Sequence, residues 1–426
     1  MAIREDKILS YMWIFSYFGL IALPINSRYE LFRKCFVINN SITIFDLILL
    51  LLFTICTVKK FLSHKDLSIT KYDILMFFYL VTIITYIVIG YTNYGISSFN
   101  DCCLYLRAYM FIEVTRNKII KSNITIYQII NITFKAMMVF SFIEMIDGIN
   151  NINLVSSARM GANNESLYIF IVGFIAYKVF FDYTEKRKFK YIIGIGLFAI
   201  CCILSKSRVF ISFSVISFIL VLIKSNYSTK LKRFKFSMRS MLILIFTLSV
   251  ITIGLILFFN SNNILTQRFL GTAGESNTGI ARINTFMYYI NIFKKNIFGC
   301  GFGYKMYYLD ELNKVIRSQS SYQIDNAFIV YAIKGGILFL ICNIYLIINT
   351  IRKINYVYVK LDDSIMYTLK IGIILVIISS TIFTSQIIHG NAEIAFIWSL
   401  CGYFLESNSV ISQGKKYKEV HKYSFE

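Results

Sequence analysis

The segment at residues 73–92 reads DILMFFYLVTIITYIVIGYT, and its only charged residue is Asp73 at the first position. Twenty residues in helical conformation extend about 30 Å, which is the thickness of the hydrocarbon core of a bilayer. A helix that is apolar on every side has no face for water, so it suits a membrane and not the surface of a soluble domain. The segment therefore predicts a transmembrane helix.

The composition of the whole chain agrees with this segment. Of the 426 residues, 57% are apolar and 16% are charged, whereas about a quarter of the residues in a soluble domain are charged. We therefore predict an all-α fold, a polytopic integral membrane helical bundle with about twelve transmembrane helices. The predicted spans are the apolar runs at residues 11–25, 41–58, 73–92, 96–114, 124–146, 166–183, 191–204, 209–223, 241–259, 327–349, 366–388 and 392–405.

The formal net charge of +21 is a second unusual feature, because strongly basic chains often bind nucleic acid or an anionic surface. The apolar composition argues against nucleic acid as a partner, so the charge needs an explanation within a membrane protein. Lys and Arg are concentrated in alternate loops, as they are on the cytoplasmic side of multi-pass proteins. This pattern predicts cytoplasmic N- and C-termini. The first apolar run is not followed by a cleavage site and should remain as a signal anchor.

The chain shows no internal repeat, so we expect one polytopic domain at residues 1–426 with one large extracytoplasmic loop at residues 260–325. A helix that begins near Thr278 and ends at Gly299 is predicted inside this loop. It either lies along the outer membrane surface or packs on other helices as a lid. Its apolar face is formed by residues at helical spacing, namely Ile283, Phe286, Ile290, Phe293 and Ile297.

The predicted loop helix is followed by the sequence GCGFG at residues 299–303. Such glycine spacing occurs in dinucleotide-binding loops, but those loops follow a strand and open a βαβ unit. Here the preceding element is an amphipathic helix. The sequence therefore predicts a glycine turn that returns the backbone to the membrane surface.

Motifs for metal or cofactor chemistry are missing from the sequence. The chain has three histidines, and it contains no zinc motif, no P-loop and no nucleophile elbow. The outer loops hold no carboxylate pair spaced for a metal-bound sugar nucleotide. If the chain is an enzyme, we expect it to work without a metal and without an organic cofactor.

Three arginines in Ser-, Asn- and Gly-rich contexts are predicted on the outer side, where positive charge is normally depleted. They are Arg159, Arg208 and Arg282. A guanidinium offers a planar fork of donors and stays charged, which suits it to phosphate. The alternatives are anchoring to lipid headgroups or ion pairs with Asp147 or Glu165.

Charged residues inside predicted spans are a further signal, because such residues face the bundle interior or a wet cavity. Three of them, Asp46, Lys334 and Glu393, fall in the outer halves of their spans. They predict a polar cavity on the same side as the arginines. The full set is Asp46, Arg107, Lys135, Glu144, Lys334 and Glu393.

Several short segments together resemble the superfamily of O-antigen polymerases and O-antigen ligases, which includes capsular polysaccharide polymerases. Their order, spacing and predicted side of the membrane carry the resemblance, and each alone is weak. The segments are RMGANNES at residues 159–166, LSKSR at 204–208, ARI at 281–283, NIFGCGFG at 296–303, DNA at 325–327 and IKGGI at 333–337.

The resemblance implies a metal-independent glycosyltransferase of the bacterial plasma (inner) membrane. Its substrate would be an oligosaccharide repeat unit linked to undecaprenyl diphosphate, which it would polymerise into O-antigen or capsular polysaccharide. Arg159, Arg208 and Arg282 would neutralise the diphosphate, and undecaprenyl diphosphate would be the leaving group. The candidate catalytic bases are Asp325 first, Glu165 second, and His389. Candidate partners are membrane lipid and the chain-length regulator and flippase of the same pathway.

Three alternatives stay open at this stage. The ligase branch of the superfamily typically carries a histidine just before the span that follows the large loop. Here residues 321–326 read SYQIDN, which favours a polymerase over a ligase. A flippase or transporter of the lipid-linked unit should show related halves with broken helices, and a non-catalytic scaffold leaves the outer arginines unexplained.

Overall fold

The computed structural model describes most of the chain, and the described part is mostly helical. It covers residues 2–24, 30–39, 42–63, 69–150, 165–180, 189–205, 208–225, 227–228, 233–234, 278–310, 312–321, 324–361, 364–384 and 386–405.

The helices follow one another with short connections in most of the described chain. A π-helical turn at Ser379–Phe383 separates α13 from α14. The helices are α1 (Ala2–Ala22), α2 (Glu30–Phe36), α3 (Ile44–Ser63), α4 (Lys71–Tyr94), α5 (Ser97–Arg116), α6 (Lys118–Asn123), α7 (Ile126–Asn150), α8 (Glu165–Phe180), α9 (Phe189–Ser205), α10 (Arg208–Ser225), α11 (Thr278–Lys295), α12 (Ala327–Leu361), α13 (Ser364–Ile378), α14 (Gln386–His389) and α15 (Asn391–Leu405).

Helices overlap every predicted span except the one at residues 241–259, which lies outside the described residues. Four of the described helical stretches are long and apolar enough to cross a membrane, and three shorter helices are also apolar. This confirms an all-α membrane protein. The count of twelve crossings stays a prediction. The four long stretches are Lys71–Tyr94, Ile126–Ile146, Ala327–Lys360 and Ile365–Ile382.

Three short antiparallel hairpins are the only strands in the part of the chain that the structure describes. They pair β1 (Val37–Asn39) with β2 (Ile42–Thr43), β3 (Tyr227–Ser228) with β4 (Arg233–Phe234), and β5 (Met306–Leu309) with β6 (Val315–Ser321). The last hairpin lies inside the predicted outer loop and is the one that matters for the site.

The last described helix, α15, is the centre of the bundle, and its side chains from Ala392 to Leu405 are buried. It packs against α1, α5, α8 and α12. The contact with α5 is close because Gly402 has no side chain, and a Cβ there would lie 2.3 Å from the carbonyl oxygen of Ile112. A helix that is apolar all round requires such enclosure by other helices.

Helix ends that the charge pattern assigns to the cytoplasm meet at one end of the bundle. Lys59 at the end of α3 contacts Glu5 near the start of α1, with 3.3 Å between Nζ and Oε2. Asp73 at the start of α4 contacts both Lys60 and Arg116, which end α3 and α5. These pairs agree with the predicted alternation of helix direction. Which end faces the cytoplasm stays a prediction.

The glycine turn at residues 299–303 packs into the opposite end of the bundle. Gly299, Gly301 and Gly303 all have positive φ, at +83°, +90° and +88°, which confirms the predicted turn. Helix α12 is broken at Gly336, where φ is +64°. The break frees carbonyl oxygens of α12, and Gly301 N–H donates to that of Lys334 at 3.0 Å. The turn thus supplies hydrogen bonds that a continuous helix would have made internally.

Replacing Gly301 by Ala should destabilise the protein. The new Cβ would lie 2.6 Å from the backbone nitrogen of Gly90, and alanine is strained at this φ. We expect the free energy of unfolding to fall by about 1–3 kcal/mol, measured as a lower thermal unfolding midpoint in detergent. Gly196 has open space around it, so Gly196→Ala is the matched control. Equal midpoints for both variants would contradict the close packing of the turn.

Candidate functional site

The predicted loop helix is present as α11, which begins at Thr278 and ends at Lys295. It ends four residues before the expected Gly299, so Ile297 lies beyond it. The buried side of α11 carries Thr285 and Tyr289, whereas Ile283 is 63% exposed. The expected apolar face is therefore only partly the packed face. The helix also packs against α12, as the lid interpretation expected.

Hydrogen bonds attach the β5–β6 hairpin to the buried side of α11. Leu309 N–H donates to Thr285 Oγ1 at 3.0 Å. The Tyr289 hydroxyl accepts from Tyr307 N–H at 2.6 Å and donates to the Tyr307 carbonyl at 3.2 Å. These bonds hold β5 beside α11.

A cavity of about 750 Å³ lies between α11, the start of α12 and the π-helical turn. Most of its wall is apolar, and Arg282 and Asp325 supply its charged groups. The exposed apolar side of α11 faces this cavity, which explains why that side is not packed on the hairpin. The principal apolar wall residues are Ile283, Phe286, Phe293, Phe328, Ile329 and Leu340.

Arg282 and Asp325 form an ion pair at this cavity, with 3.0 Å between Nη2 and Oδ2. The two side chains keep 46% and 34% of their accessible surface, respectively, so molecules from outside can reach them. The second carboxylate oxygen, Oδ1, accepts a hydrogen bond from the Tyr308 hydroxyl at 3.2 Å. Asp325 is thus held from α11 on one side and from β5 on the other.

The position of Asp325 follows from the start of α12. Asn326 caps this helix, because its Oδ1 accepts the N–H of Ile329 at 3.1 Å. Asp325 is the residue before the cap, where the positive end of the helix dipole favours a negative charge. The sequence Asp325-Asn326-Ala327 therefore fixes both the helix start and the location of the carboxylate.

Tyr308 remains a protonated donor at neutral pH. Burial raises the pKa of its hydroxyl well above the ordinary value, and the negative charge of Asp325 raises it further. The hydrogen bond to Asp325 therefore has a fixed direction, from the tyrosine to the carboxylate.

Two buried ion pairs lie outside the cavity. Lys334 and Asp101 are fully buried, with 2.5 Å between Nζ and Oδ2, and Asp101 Oδ2 also accepts Gly303 N–H at 2.9 Å. Arg107 binds Asp46 through two donors, at 2.6 and 2.7 Å. Burial in the bundle interior was one of the two expected placements, and it is confirmed for Asp46, Arg107 and Lys334. The polar cavity expected at Asp46 and Lys334 was wrong, because helices enclose both pairs.

The other intramembrane charges differ in burial. Glu144 and Glu393 are buried, as expected for charges within spans. Lys135 is exposed, so the expectation that it faces the interior was wrong. Thr133 and Met137, each two residues from Lys135, are buried. A step of two residues turns about 200° around a helix, so Lys135 lies on the opposite side of α7.

Only part of the predicted site can be compared with the structure. Arg159 lies outside the described residues. Arg208 begins α10 and Glu165 begins α8, but their side chains are not described. His389 ends α14 and is partly buried. Arg282 and Asp325 are therefore the predicted site residues that the structure brings together.

Tyr308 was missed by sequence reasoning. The chain has 30 tyrosines, so a tyrosine in the outer loop does not stand out in the sequence. In the described part of the chain, no group of three or more His, Cys, Asp or Glu residues is arranged to hold a metal ion.

Residues 193–344 match the family model described as O-antigen ligase. This match confirms the resemblance to the O-antigen polymerase and ligase superfamily, and together with the apolar helices it indicates a membrane protein whose activity is of the glycosyl-transfer type in a broad sense. The matched segment includes α11, the β5–β6 hairpin, the Arg282–Asp325 pair and the first half of α12. A comparison with curated proteins found no match.

Proposed function

We propose that this protein polymerises oligosaccharide repeat units carried on undecaprenyl diphosphate into O-antigen or capsular polysaccharide. The reaction takes place on the outer face of the bacterial plasma membrane, with both termini of the chain in the cytoplasm and residues 260–325 outside. The whole chain acts as one polytopic domain, and neither a metal nor an organic cofactor takes part.

The arrangement of the cavity is the observation that carries this proposal. It combines an apolar wall, suited to a lipid chain, with a charged end formed by Arg282 and Asp325. A polyprenyl diphosphate has the same division between an apolar chain and an anionic head. The named wall residues from Ile283 to Leu340 also fall within the segment that matches the O-antigen ligase family.

The transfer step needs a leaving group, a nucleophile and a base. A hydroxyl of the acceptor repeat unit attacks the anomeric carbon of the donor sugar, and a new glycosidic C–O bond forms. The bond from that carbon to the diphosphate breaks, and its electron pair leaves with undecaprenyl diphosphate. Arg282 stabilises the charge that develops on the leaving group, and Asp325 takes the proton of the hydroxyl.

The remaining predicted residues complete this proposal. Arg208 begins α10 and Arg159 precedes α8 in the chain, and we place both at the diphosphate beside Arg282. Glu165 and His389 are the alternative bases to Asp325. The membrane lipid surrounds the bundle, and the flippase and chain-length regulator of the pathway are the protein partners we expect.

A ligase is the second candidate, because the matching family model is described as O-antigen ligase. A ligase would move the finished glycan from the same carrier to a different acceptor, so the cavity would serve both activities. Residues 321–326 read SYQIDN and contain no histidine, whereas the ligase branch of the superfamily typically has one immediately before the next span. This difference is the reason for preferring a polymerase.

The proposal is tested with the full chain reconstituted in lipid nanodiscs. The substrate is the lipid-linked repeat unit extracted from cells that lack this gene. We expect a ladder of lipid-linked products with two or more repeat units, formed equally well with and without EDTA, and resolved by gel electrophoresis and mass spectrometry.

The alternatives give different results in the same experiments. A ligase leaves the repeat unit unextended until a second acceptor is added. In cells that lack a flippase, repeat units stay on the cytoplasmic side, whereas loss of a polymerase leaves single units displayed outside. Reconstituted protein that forms no product longer than one unit contradicts a polymerase.

A further inference from the structure

We infer that the Arg282–Asp325 ion pair is a lock opened by the donor substrate. The diphosphate takes the guanidinium of Arg282, and the carboxylate of Asp325 is thereby released to accept a proton from the acceptor. The inference rests on the proposed function and adds an order of events to it: the base becomes available only after the donor has bound.

The need for a lock follows from the contacts of Asp325. Its Oδ2 is paired with Arg282 and its Oδ1 accepts from Tyr308. These two contacts use two of the roughly four lone-pair positions of the carboxylate, and they place the positive charge of Arg282 on Asp325. The leaving group requires the same positive charge, so the diphosphate and Asp325 compete for Arg282.

Charge and exposure determine which partner Arg282 takes. A diphosphate esterified at both ends carries two negative charges, whereas Asp325 carries one. The pair is partly open to the cavity, as the 46% and 34% exposures show. By contrast, the Lys334–Asp101 pair has no exposure on either side. A ligand can therefore reach the first pair directly, while the second is enclosed in the fold.

Tyr308 keeps Asp325 in position after Arg282 has moved to the diphosphate. Its hydroxyl bonds Oδ1, and its strand is fixed to α11 by the bond from Leu309 N–H to Thr285. Only Oδ2 is then released, and it is the oxygen beside the bound diphosphate. Tyr308 is therefore a positioning residue in this scheme. Oδ2 receives the proton of the acceptor hydroxyl as the glycosidic bond forms and the diphosphate departs.

If the ion pair is such a lock, removing the charge of Asp325 by Asp325→Asn should increase the affinity for a diphosphate instead of lowering it. The amide leaves Arg282 without its competing charge, so a diphosphate should bind more tightly although transfer is lost. Because an exposed ion pair contributes up to about 1 kcal/mol, the affinity should rise about two- to fivefold. The probe is farnesyl diphosphate, titrated against the full chain in nanodiscs and read by isothermal calorimetry.

Matched variants separate the lock from a structural role. Asp310 lies in the same loop and caps the hairpin turn through Leu312 N–H and Lys314 N–H, so Asp310→Asn should leave probe affinity unchanged. Arg282→Ala should weaken binding, and adding Asp325→Asn to it should bring no gain. Tyr308→Phe should keep wild-type affinity, since it leaves the Arg282–Asp325 pair in place, while kcat falls.

The outcomes distinguish the inference from the function on which it rests. If the wild-type protein fails to bind farnesyl diphosphate, the proposed function itself is contradicted. If it binds, and Asp325→Asn binds equally or more weakly, Asp325 only orients Arg282 and the lock is overturned. A gain in Asp325→Asn that persists without Arg282 also overturns it, because the two residues would then act independently.

Discussion

Glycan chain extension should fall by about 10²- to 10³-fold when Arg282 is replaced by alanine, the loss typical when one group that stabilises a developing negative charge is removed. Arg282 lies at the charged end of the cavity and supplies one of its two charged groups. Nearly half of its side-chain surface is exposed, so its removal should leave the bundle folded. The rate is measured as the initial formation of two-unit product by the reconstituted protein.

Two further variants make this expectation specific. Arg282→Lys keeps the charge and loses the planar fork of donors, so its rate should lie between those of the wild type and Arg282→Ala. Lys305 is an exposed cation of the same loop and does not line the cavity. Lys305→Ala should therefore extend chains at the wild-type rate. Wild-type glycan length in cells that carry Arg282→Ala would falsify the assignment.

The helical fold could be predicted because burial in a membrane leaves a simple signal. A long apolar run such as residues 73–92 has few alternatives to a membrane helix, and the structure places α4 there. The turn at residues 299–303 was predictable for a similar reason, since three glycines at alternate positions permit a backbone that other residues resist. In both cases the structure is determined by residues that are close together in the sequence.

The site was only partly predictable, because its geometry depends on contacts between distant residues. Arg282 and Asp325 were each selected for their chemistry, but nothing local in the sequence indicated that they would pair at one end of a cavity. Tyr308 had no distinguishing pattern, since its role comes from the hairpin that carries it. The residue types of such a site can therefore be predicted from the sequence. The contacts between these residues are set by the tertiary structure.

The loop helix shows why an apolar face does not identify its partner. The spacing of Ile283 and Phe286 indicated the apolar side of α11, and this side was expected to be covered by membrane or by helices. In the structure it lines a cavity, while Thr285 and Tyr289 are buried by hydrogen bonds to the hairpin. Polar side chains can be buried when the backbone of a neighbouring strand satisfies them.

Replacing Lys334 by methionine should destabilise the protein strongly. The methionine removes the cation from a fully buried pair and leaves the Asp101 carboxylate uncompensated. Loss of one partner of a buried ion pair typically costs about 3–5 kcal/mol. Asp101 also accepts Gly303 N–H, so the glycine turn should loosen together with the pair. The measurement is the thermal unfolding midpoint of the full chain in detergent.

A second substitution should recover much of this loss. In the double variant Asp101→Asn with Lys334→Met no buried charge remains at this position, and the asparagine oxygen can still accept Gly303 N–H. Replacing a buried pair by neutral groups is often close to neutral in stability, so the double variant should melt well above Lys334→Met. Lys59→Met is the control, because the Lys59–Glu5 pair is exposed and contributes at most about 1 kcal/mol. If Lys334→Met and Lys59→Met melt at the same temperature, the buried pair does not hold α5, α12 and the glycine turn together.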